Sequence, residues 1–294
     1  MENFKFKSFD GKELNSYLFE VEKPIGIVQI THGMKEHSKR YFDFIKFLTN
    51  NNYNVFISDL RGHGLTCESI DKLGYSDNDI YKECLNDSLF ISEYLSKKYK
   101  NLPLYVIGHS FGSFVIQGYI KNNIYAKKIV LIGSNYNNTL LFKTGKIIAS
   151  FIKLFKGKKG SAKLIEDMSF NSYAKKFKNG NWLTRNEKIF NAYNQDPYCN
   201  CSFPINFYYS MFKNTPKNYK NISKVKNKAK LFILAGTSDP VGNYGKGVVK
   251  LAKVYQKAGF KTTMKLYIDY RHEILNELNK TEVYNDIVTF FKVK

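Results

Sequence analysis

The sequence has no long hydrophobic run. None of its apolar stretches exceeds nine residues, whereas a helix that spans a membrane needs about 18 or more. The first ten residues, MENFKFKSFD, alternate apolar and charged positions and contain no apolar segment of a secretory signal. We therefore expect a cytoplasmic protein whose contact with membranes is peripheral at most.

Cysteine is scarce as well. The four residues Cys67, Cys84, Cys199 and Cys201 fit reduced thiols in a cytosol better than a disulfide framework. Cys199 and Cys201 form a C-x-C pair, but no second cluster of Cys or His accompanies it in the sequence, as zinc sites usually require. We predict neither a metal site nor an organic cofactor.

Arginine is the rarest charged residue. The chain has 4 Arg against 42 Lys, and its net charge is +21. Proteins that read nucleic acids rely on Arg for bidentate contacts to bases and phosphates, so we predict no dedicated nucleic-acid binding. The 30 Asn complete a composition that a biased genome produces without selection for any partner.

Apolar and aromatic residues are abundant enough for a large core, at 43% and 16% of the chain. Disordered chains do not reach such values. A chain of this length buries roughly 75% of its unfolded surface. We therefore expect one large domain or one domain that carries a sizeable insertion.

Six short apolar runs predict strands buried on both faces, because they lack alternation and are rich in β-branched residues. They are 26–31, 53–58, 104–108, 128–133, 231–235 and 263–268. Helical patterns lie between or after them at 39–51, 79–99, 112–123, 245–259 and 273–292. This order predicts an α/β fold with a mostly parallel sheet and helices on both faces. Before it, runs at 4–9 and 14–19 joined across Asp10-Gly11 predict a hairpin with a type I′ turn.

One interval interrupts the alternation. Residues 135–228 hold no buried-strand pattern and are too many for a plain connection. We interpret them as a helical cap inserted into a core that is formed by 1–134 and 229–294. Residues 141–230 contain 18 Lys and one Arg against four acidic residues, a net charge of +15, while the rest of the chain carries only +6.

Within this interval, residues 140–159 predict an amphipathic helix. Its basic stripe consists of Lys143, Lys146, Lys153 and Lys156 together with Ser150, and apolar residues fill the rest. Such a helix lies in the interface of an anionic membrane or serves as a lid helix that packs its apolar face on the core. The sequence leaves both interpretations open.

The segment Gly108-His109-Ser110-Phe111-Gly112 follows a predicted strand and precedes a predicted helix. A G-x-S-x-G motif in this position is typical of a nucleophile elbow, where a tight turn exposes the Ser above the sheet. The helix that follows directs free N–H groups at a developing oxyanion. We predict that Ser110 is a nucleophile.

A serine nucleophile needs a base and an acid, which follow it in the order Asp/Glu then His in hydrolases with this elbow. Of the five His, only His272 comes after Ser110 and outside the elbow, and it lies in the last strand–helix loop. Asp239 directly follows the 231–235 strand, and Asp269 is the other candidate. We favour Asp239, because Asp269 shares the short loop of His272.

The loop after the first parallel strand should supply a second oxyanion donor. It reads Thr31-His32-Gly33-Met34, so the backbone N–H groups of Met34 and Phe111 are the predicted pair. In the cap, five apolar and aromatic residues either line an acyl channel or form plain cap core. They are Phe203, Phe207, Tyr208, Met211 and Phe212.

Four motifs carry a family resemblance. They are HGMKEHSKRY at 32–41, DLRGHG at 59–64, GHSFG at 108–112 and RHEILNE at 271–277. In this order and spacing the chain resembles the α/β-hydrolases of the monoacylglycerol lipase and lysophospholipase group, which is serine aminopeptidase S33-like. The resemblance implies an eight-stranded sheet, a cap after the sixth strand and a Ser110–Asp239–His272 triad.

The resemblance also implies hydrolysis of a lipid ester, a monoacylglycerol or a lysophospholipid, through an acyl-enzyme. Two other functions stay open. The triad also serves an esterase or peptidase that acts on small soluble substrates. Alternatively, the protein is a non-catalytic module whose basic cap binds acidic lipid.

Overall fold

The computed structural model describes residues 1–293. Within them, eight strands form one sheet in the order β1-β2-β4-β3-β5-β6-β7-β8. The strands are β1 (Glu2–Lys7), β2 (Glu13–Phe19), β3 (Gly26–Thr31), β4 (Tyr53–Ser58), β5 (Leu104–His109), β6 (Lys128–Ile132), β7 (Lys230–Gly236) and β8 (Thr262–Tyr267). The pairs β1–β2 and β2–β4 are antiparallel and the other neighbours are parallel, which confirms the predicted sheet.

Five helices cover the two faces of this sheet, and the others lie in the insertion between β6 and β7. The α-helices of the described residues are α1 (Phe42–Asn50), α2 (Ile80–Lys98), α3 (Phe111–Asn122), α4 (Leu140–Lys156), α5 (Lys163–Glu166), α6 (Ser172–Ala174), α7 (Glu187–Gln195), α8 (Ile205–Asn214), α9 (Lys246–Lys257) and α10 (Lys280–Lys292). Apolar residues of α2, α3 and α9 pack on one face, and those of α1 and α10 pack on the other.

The two-sided core explains the continuous apolar runs in the sequence. Successive residues of one strand join opposite layers: Ile27 belongs to the layer under α2 and α3, whereas Val28 belongs to the layer under α1. Every residue of β3, β4, β5 and β6 is buried. Since neither face of these strands meets water, no polar alternation develops.

The opening hairpin forms, but its turn differs from the prediction. Ser8 N–H donates to Lys12 O and Gly11 N–H donates to Ser8 O, so the loop contains three residues. A type I′ turn needs positive φ at both central residues, and of Asp10 and Gly11 only Gly11 has one, at +84°. The longer loop leaves Asp10 free to pair with Arg61.

The predicted last helix, 273–292, is also too long. The structure has a short 3-10 turn at Ile274–Asn276, and α10 begins only at Lys280. The intervening backbone forms other contacts, since Glu273 N–H donates to Leu183 O at 2.7 Å. The Glu277 carboxylate accepts from the backbone N–H of Arg271 at 2.9 Å, which folds the segment back on itself.

Between β6 and β7 the chain forms the helices α4 to α8, and we call residues 135–228 the helical segment. One face of α4 packs against α8, with the rings of Phe142 and Phe212 at 5.3 Å. The opposite face has side chains that are 56–80% exposed, namely Leu140, Leu141, Ile147, Phe151, Leu154 and Phe155. The lid-helix interpretation therefore describes only one face of α4. Among the described residues, no helix combines the length and the apolarity that a membrane crossing requires.

The basic stripe of α4 is divided in the same way. Lys143 and Lys146 are exposed, whereas Lys153 Nζ lies 4.2 Å from the ring centre of Tyr209 in α8. Burial, with the nearby charges of Lys158 and Lys213, lowers the pKa of Lys153. Lys153 therefore belongs to the packed face and not to the outward one.

We predict that Arg61 is essential for stability. Its guanidinium binds Asp87 in α2 and Asp10 in the hairpin loop, with four N–O distances of 2.7 Å. Arg61→Met leaves the buried Asp87 without its counter-charge, which should lower the free energy of unfolding by about 3–5 kcal/mol in urea titrations. Asp10→Asn is the control and should cost about 1 kcal/mol or less, since Asp10 is partly exposed. Equal losses in the two variants would contradict this assignment.

Candidate active site

Ser110 lies at the turn between β5 and α3 in a strained conformation. Its φ is +50° and its ψ is −121°, a region that a non-glycine residue occupies only where its surroundings enforce it. The flanking glycines permit close contacts, since a Cβ on Gly112 would lie 2.2 Å from Thr31 O and one on Gly108 2.8 Å from Gly112 O. The turn therefore requires glycine at both positions.

The structure brings Ser110, His272 and Asp239 into one hydrogen-bonded chain. Ser110 Oγ lies 2.8 Å from His272 Nε2, and His272 Nδ1 lies 3.0 Å from Asp239 Oδ1. Because the Asp239 carboxylate only accepts, Nδ1 carries the proton and Nε2 accepts from the Ser110 hydroxyl. Asp269, the alternative acid, lies on an exposed turn with φ of +63°.

The predicted oxyanion donors are free. Among the described residues, the backbone N–H groups of Met34 and Phe111 have no hydrogen-bond acceptor. Phe111 begins α3, so its N–H belongs to a helix N-terminus, where the peptide dipoles favour negative charge. The loop of Met34 adjoins the nucleophile, because a Cβ on Gly33 would lie 3.0 Å from Ser110 Cβ. These groups can bind an oxyanion that forms at Ser110.

A buried charged network that sequence reasoning missed lies beneath this loop. His109 Nδ1 is 3.0 Å from Glu36 Oε1, and the Tyr41 hydroxyl donates to the same oxygen at 2.8 Å. Arg40 binds Glu273 through two N–O contacts of 2.7 Å and also contacts Glu36 at 3.1 Å. In the sequence, only the i,i+4 spacing of Glu36 and Arg40 could have indicated this network.

Charge pairing decides the protonation states in this network. Burial opposes ionisation, but the adjacent His109 and Arg40 hold the pKa of Glu36 well below its usual value. Burial also opposes a charged His109, yet Glu36 raises the pKa of that imidazole. The His109 ring centre lies 5.1 Å from that of His272. A paired charge therefore lies directly beside the candidate base.

The helical segment is bound to the loop of His272. The carbonyls of Trp182 and Leu183 accept from the N–H groups of His272 at 3.4 Å and Glu273 at 2.7 Å. Arg271 Nη1 donates to Asn181 O at 2.6 Å and to Thr184 O at 3.1 Å. These are backbone contacts for the most part, so no residue type in the sequence could reveal them.

A cavity of about 1020 Å³ opens over Ser110 and His272. Its walls are mainly apolar and come from both the core and the helical segment. Of the predicted channel residues, the structure places Tyr208, Met211 and Phe212 in the wall. Phe203 and Phe207 lie behind it instead and pack against the His63 ring at 4.9 and 5.8 Å. For these two residues the structure agrees with the second interpretation that the sequence left open, because their rings pack in the core behind the cavity.

Three possible metal ligands meet at the border of the helical segment. In the described part of the chain, ligand atoms of His37, Asp196 and Cys199 lie within 4.8 Å of one another. His37 Nε2 already bonds to Asp196 Oδ2 at 2.8 Å. Burial raises the pKa of the Cys199 thiol, which opposes the thiolate that a metal needs. The cluster is best described as a contact between segment and core.

Comparisons with known proteins agree with this architecture. The model of a family described as serine aminopeptidase, S33, matches residues 22–279. A monoglyceride lipase of Saccharomyces cerevisiae is 28% identical over 166 residues, which span 51% of this chain and 51% of that protein. A monoglyceride lipase of Homo sapiens is 23% identical over 275 residues, which span 90% and 80% of the two chains.

Solved structures show the same fold. A thermostable carboxyl esterase from Bacillus coagulans, in complex with glycerol, superposes with a TM-score of 0.88 at 25% identity and covers 99% of this chain and 97% of its own. A soluble variant of the monoglyceride lipase from Saccharomyces cerevisiae superposes with a TM-score of 0.75 at 22% identity, over 99% and 94%.

Proposed function

Since the chain belongs to the serine aminopeptidase S33 family of α/β-hydrolases, we propose that it is a carboxylic ester hydrolase acting on lipids. Monoacylglycerols and lysophospholipids are the proposed substrates. The observation that carries this proposal is the contact of Ser110 with His272 at the wall of a large, mainly apolar cavity. Two relatives named monoglyceride lipase support a lipid substrate.

The proposed chemistry uses the three hydrogen-bonded side chains in turn. Ser110 Oγ attacks the ester carbonyl while its proton moves to His272 Nε2, and Asp239 stabilises the imidazolium. The N–H groups of Met34 and Phe111 bind the carbonyl oxygen as it becomes negative. The bond to the alcohol breaks, and the alcohol leaves with the proton of Nε2. Water then attacks the acyl carbon and gives a proton to His272 Nε2. The bond between this carbon and Ser110 Oγ breaks, the acid leaves, and His272 returns the proton to Ser110 Oγ.

An aminopeptidase requires a free carboxylate for the α-ammonium group of its substrate. Two acidic residues of the described chain line the cavity, Glu36 and Glu273, and Arg40 binds both. Neither carboxylate is therefore free to bind a substrate ammonium group. This observation favours an ester over a peptide, while small soluble esters stay the second candidate.

We also propose that residues 135–228 act as a cap and that α4 brings this cap to anionic membranes. The outward face of α4 combines the exposed Phe151, Leu154 and Phe155 with Lys143 and Lys146 beside them. Apolar side chains on an exposed helix face enter the acyl boundary of a bilayer, and Lys residues bind anionic headgroups. A lipid substrate could then pass into the cavity, which Leu141, Phe142 and Ile148 of the same helix border.

Ser110→Ala should abolish turnover of medium- and long-chain esters. The variant keeps the fold but removes the attacking oxygen, so a loss of about 10⁴-fold or more in kcat is expected. The measurement is a series of 4-nitrophenyl esters of rising chain length compared with aminoacyl amides. Labelling with a fluorophosphonate should disappear as well, whereas Ser113→Ala, three residues away, should still be labelled.

Each alternative function predicts a different result in this assay. Turnover restricted to acetyl esters or amides would favour the small-substrate hydrolase. Wild-type protein that binds acidic lipid but neither turns over esters nor reacts with the probe would favour the non-catalytic module. Unchanged ester turnover by Ser110→Ala would exclude the proposed mechanism.

Membrane contact is tested by sedimentation with vesicles. The wild type should bind anionic vesicles more strongly than neutral ones, and Lys143→Glu/Lys146→Glu should weaken this at low salt, since each Lys contributes about 1 kcal/mol near an anionic surface. Phe151→Ser/Phe155→Ser should weaken binding at any salt concentration. Ile124→Ser is the control, because Ile124 is also exposed but lies in the core, outside the helical segment. Equal binding to neutral and anionic vesicles would refute the role of the lysines.

A further inference from the structure

Lys35 has an unusual backbone conformation beside the proposed oxyanion hole. Its φ is +56°, in the left-handed region that side-chain-bearing residues adopt where their surroundings compensate for it. Its neighbour in the chain is Met34, whose N–H is one of the two proposed oxyanion donors. The contacts of the Lys35 side chain show what compensates for this backbone strain.

The Lys35 ammonium is paired inside the protein. Its Nζ lies 2.6 Å from Glu166 Oε1, and the two side chains are only 13% and 10% exposed. Glu166 ends α5 in the helical segment, 131 residues further along the chain. The rings of Phe170 and Phe203 lie 5.2 and 5.9 Å from Nζ and favour a cation between them. Lys35 thus extends from a core loop into a pocket built by the helical segment.

Glu166 is itself fixed in place by that segment. Its Oε1 accepts from the Tyr208 hydroxyl at 2.8 Å and from Phe203 N–H at 3.3 Å, and its Oε2 accepts from the Ser202 hydroxyl at 3.0 Å. Burial raises the pKa of Glu166, but Lys35 and these hydrogen bonds outweigh it and lower the pKa below the usual value. The carboxylate is therefore ionised and immobile, and its contact with Lys35 is a rigid link.

The core holds the loop on the other side of Met34. Gly33 N–H donates to Glu36 Oε1, which the Tyr41 hydroxyl also contacts at 2.8 Å. Met34 therefore lies between one residue that is anchored to the core and one that is anchored to the helical segment. The N–H of Met34 belongs to the planar peptide unit that joins Gly33 to Met34, so its direction depends on the positions of Gly33 and of the Met34 Cα. The core holds Gly33, and Lys35 holds Met34 from its other side through the following peptide unit.

We propose that Lys35 is a positioning residue that couples the helical segment to the oxyanion hole. The Lys35–Glu166 link holds the Met34 N–H toward the carbonyl that Ser110 attacks. This role rests on the proposed function, since the oxyanion forms only when Ser110 attacks an ester carbonyl. Without the Lys35–Glu166 link, Ser110 and His272 keep their own contact, but the oxyanion hole loses one of its supports.

The first pair of variants removes the link in two ways. Lys35→Met keeps the apolar stem between the aromatic rings, and Glu166→Gln keeps the shape of the acceptor. For a short-chain soluble ester we expect kcat to fall about 10- to 100-fold while KM changes less than about threefold, because a contact made in the transition state is lost. The double variant Lys35→Met/Glu166→Gln leaves no unpaired charge, and its kcat should stay low.

Two further substitutions separate the link from the local backbone. Lys35→Gly accepts the left-handed conformation without strain but cannot bind Glu166, so its kcat should also fall. Lys35→Arg can reach the same carboxylate and should recover most of the wild-type kcat. A trifluoromethyl ketone, whose adduct with Ser110 carries an oxyanion, should lose affinity in proportion to the loss of kcat.

Lys213→Met serves as the matched control. It breaks a different ion pair between the helical segment and the core, Lys213 with Asp79 at 3.3 Å, and should leave kcat within about twofold of wild type. Thermal unfolding of every variant shows which losses of kcat result from a less stable protein alone.

The outcomes separate the two proposals. Wild-type kcat in Lys35→Gly and in the double variant would overturn the role of Lys35 while leaving the proposed function intact. Recovery of both stability and kcat in the double variant would mean that Lys35 and Glu166 only neutralise each other's charge. This result would also overturn the role of Lys35. A wild type that turns over no ester would overturn the proposed function and this role together.

Discussion

The parallel sheet is the constraint on which every feature of the site depends. Parallel neighbours end at the same edge, so the loops after β3, β5, β7 and β8 converge there although the chain visits them far apart. One close contact at this edge lies between Gly112 and the carbonyl of Thr31, where the elbow meets the end of β3. Without that close approach, the free N–H groups of one loop would not face the nucleophile of another.

Much of this architecture could be predicted because it depends on local pattern. The bounds of β3 and β4 match their apolar runs residue for residue, since strands covered on both faces have sharp compositional edges. The convergence of Ser110, Asp239 and His272 could be predicted because each lies in the loop or turn that follows a strand. The hairpin turn and the start of α10 were mispredicted, because a carboxylate at Asp10 and one at Glu277 form tertiary contacts that override local preference.

The remaining features join residues that no local pattern connects. Lys35 and Glu166 are separated by 131 positions, and His37 and Asp196 by 159. The composition does not show which lysines are paired or packed, because the sequence does not distinguish one Lys from another in a chain with 42 of them. Lys35 is buried against Glu166, Lys153 lies on an aromatic ring, and Lys143 is in water. The net charge of the helical segment therefore combines lysines with different surroundings, and only some of them are available to a partner.

The contacts between residues 181–184 and the loop of His272 also change the topology of the helical segment. Backbone hydrogen bonds there attach the segment to the core near its midpoint, so the insertion becomes two closed loops of similar length. The free-energy cost of closing a loop, which is entropic, rises with the logarithm of the loop length, by about 0.6 kcal/mol per doubling. Two shorter loops, joined through α4 and α8, can therefore each order against the finished core, and a change in the length of one need not displace the other.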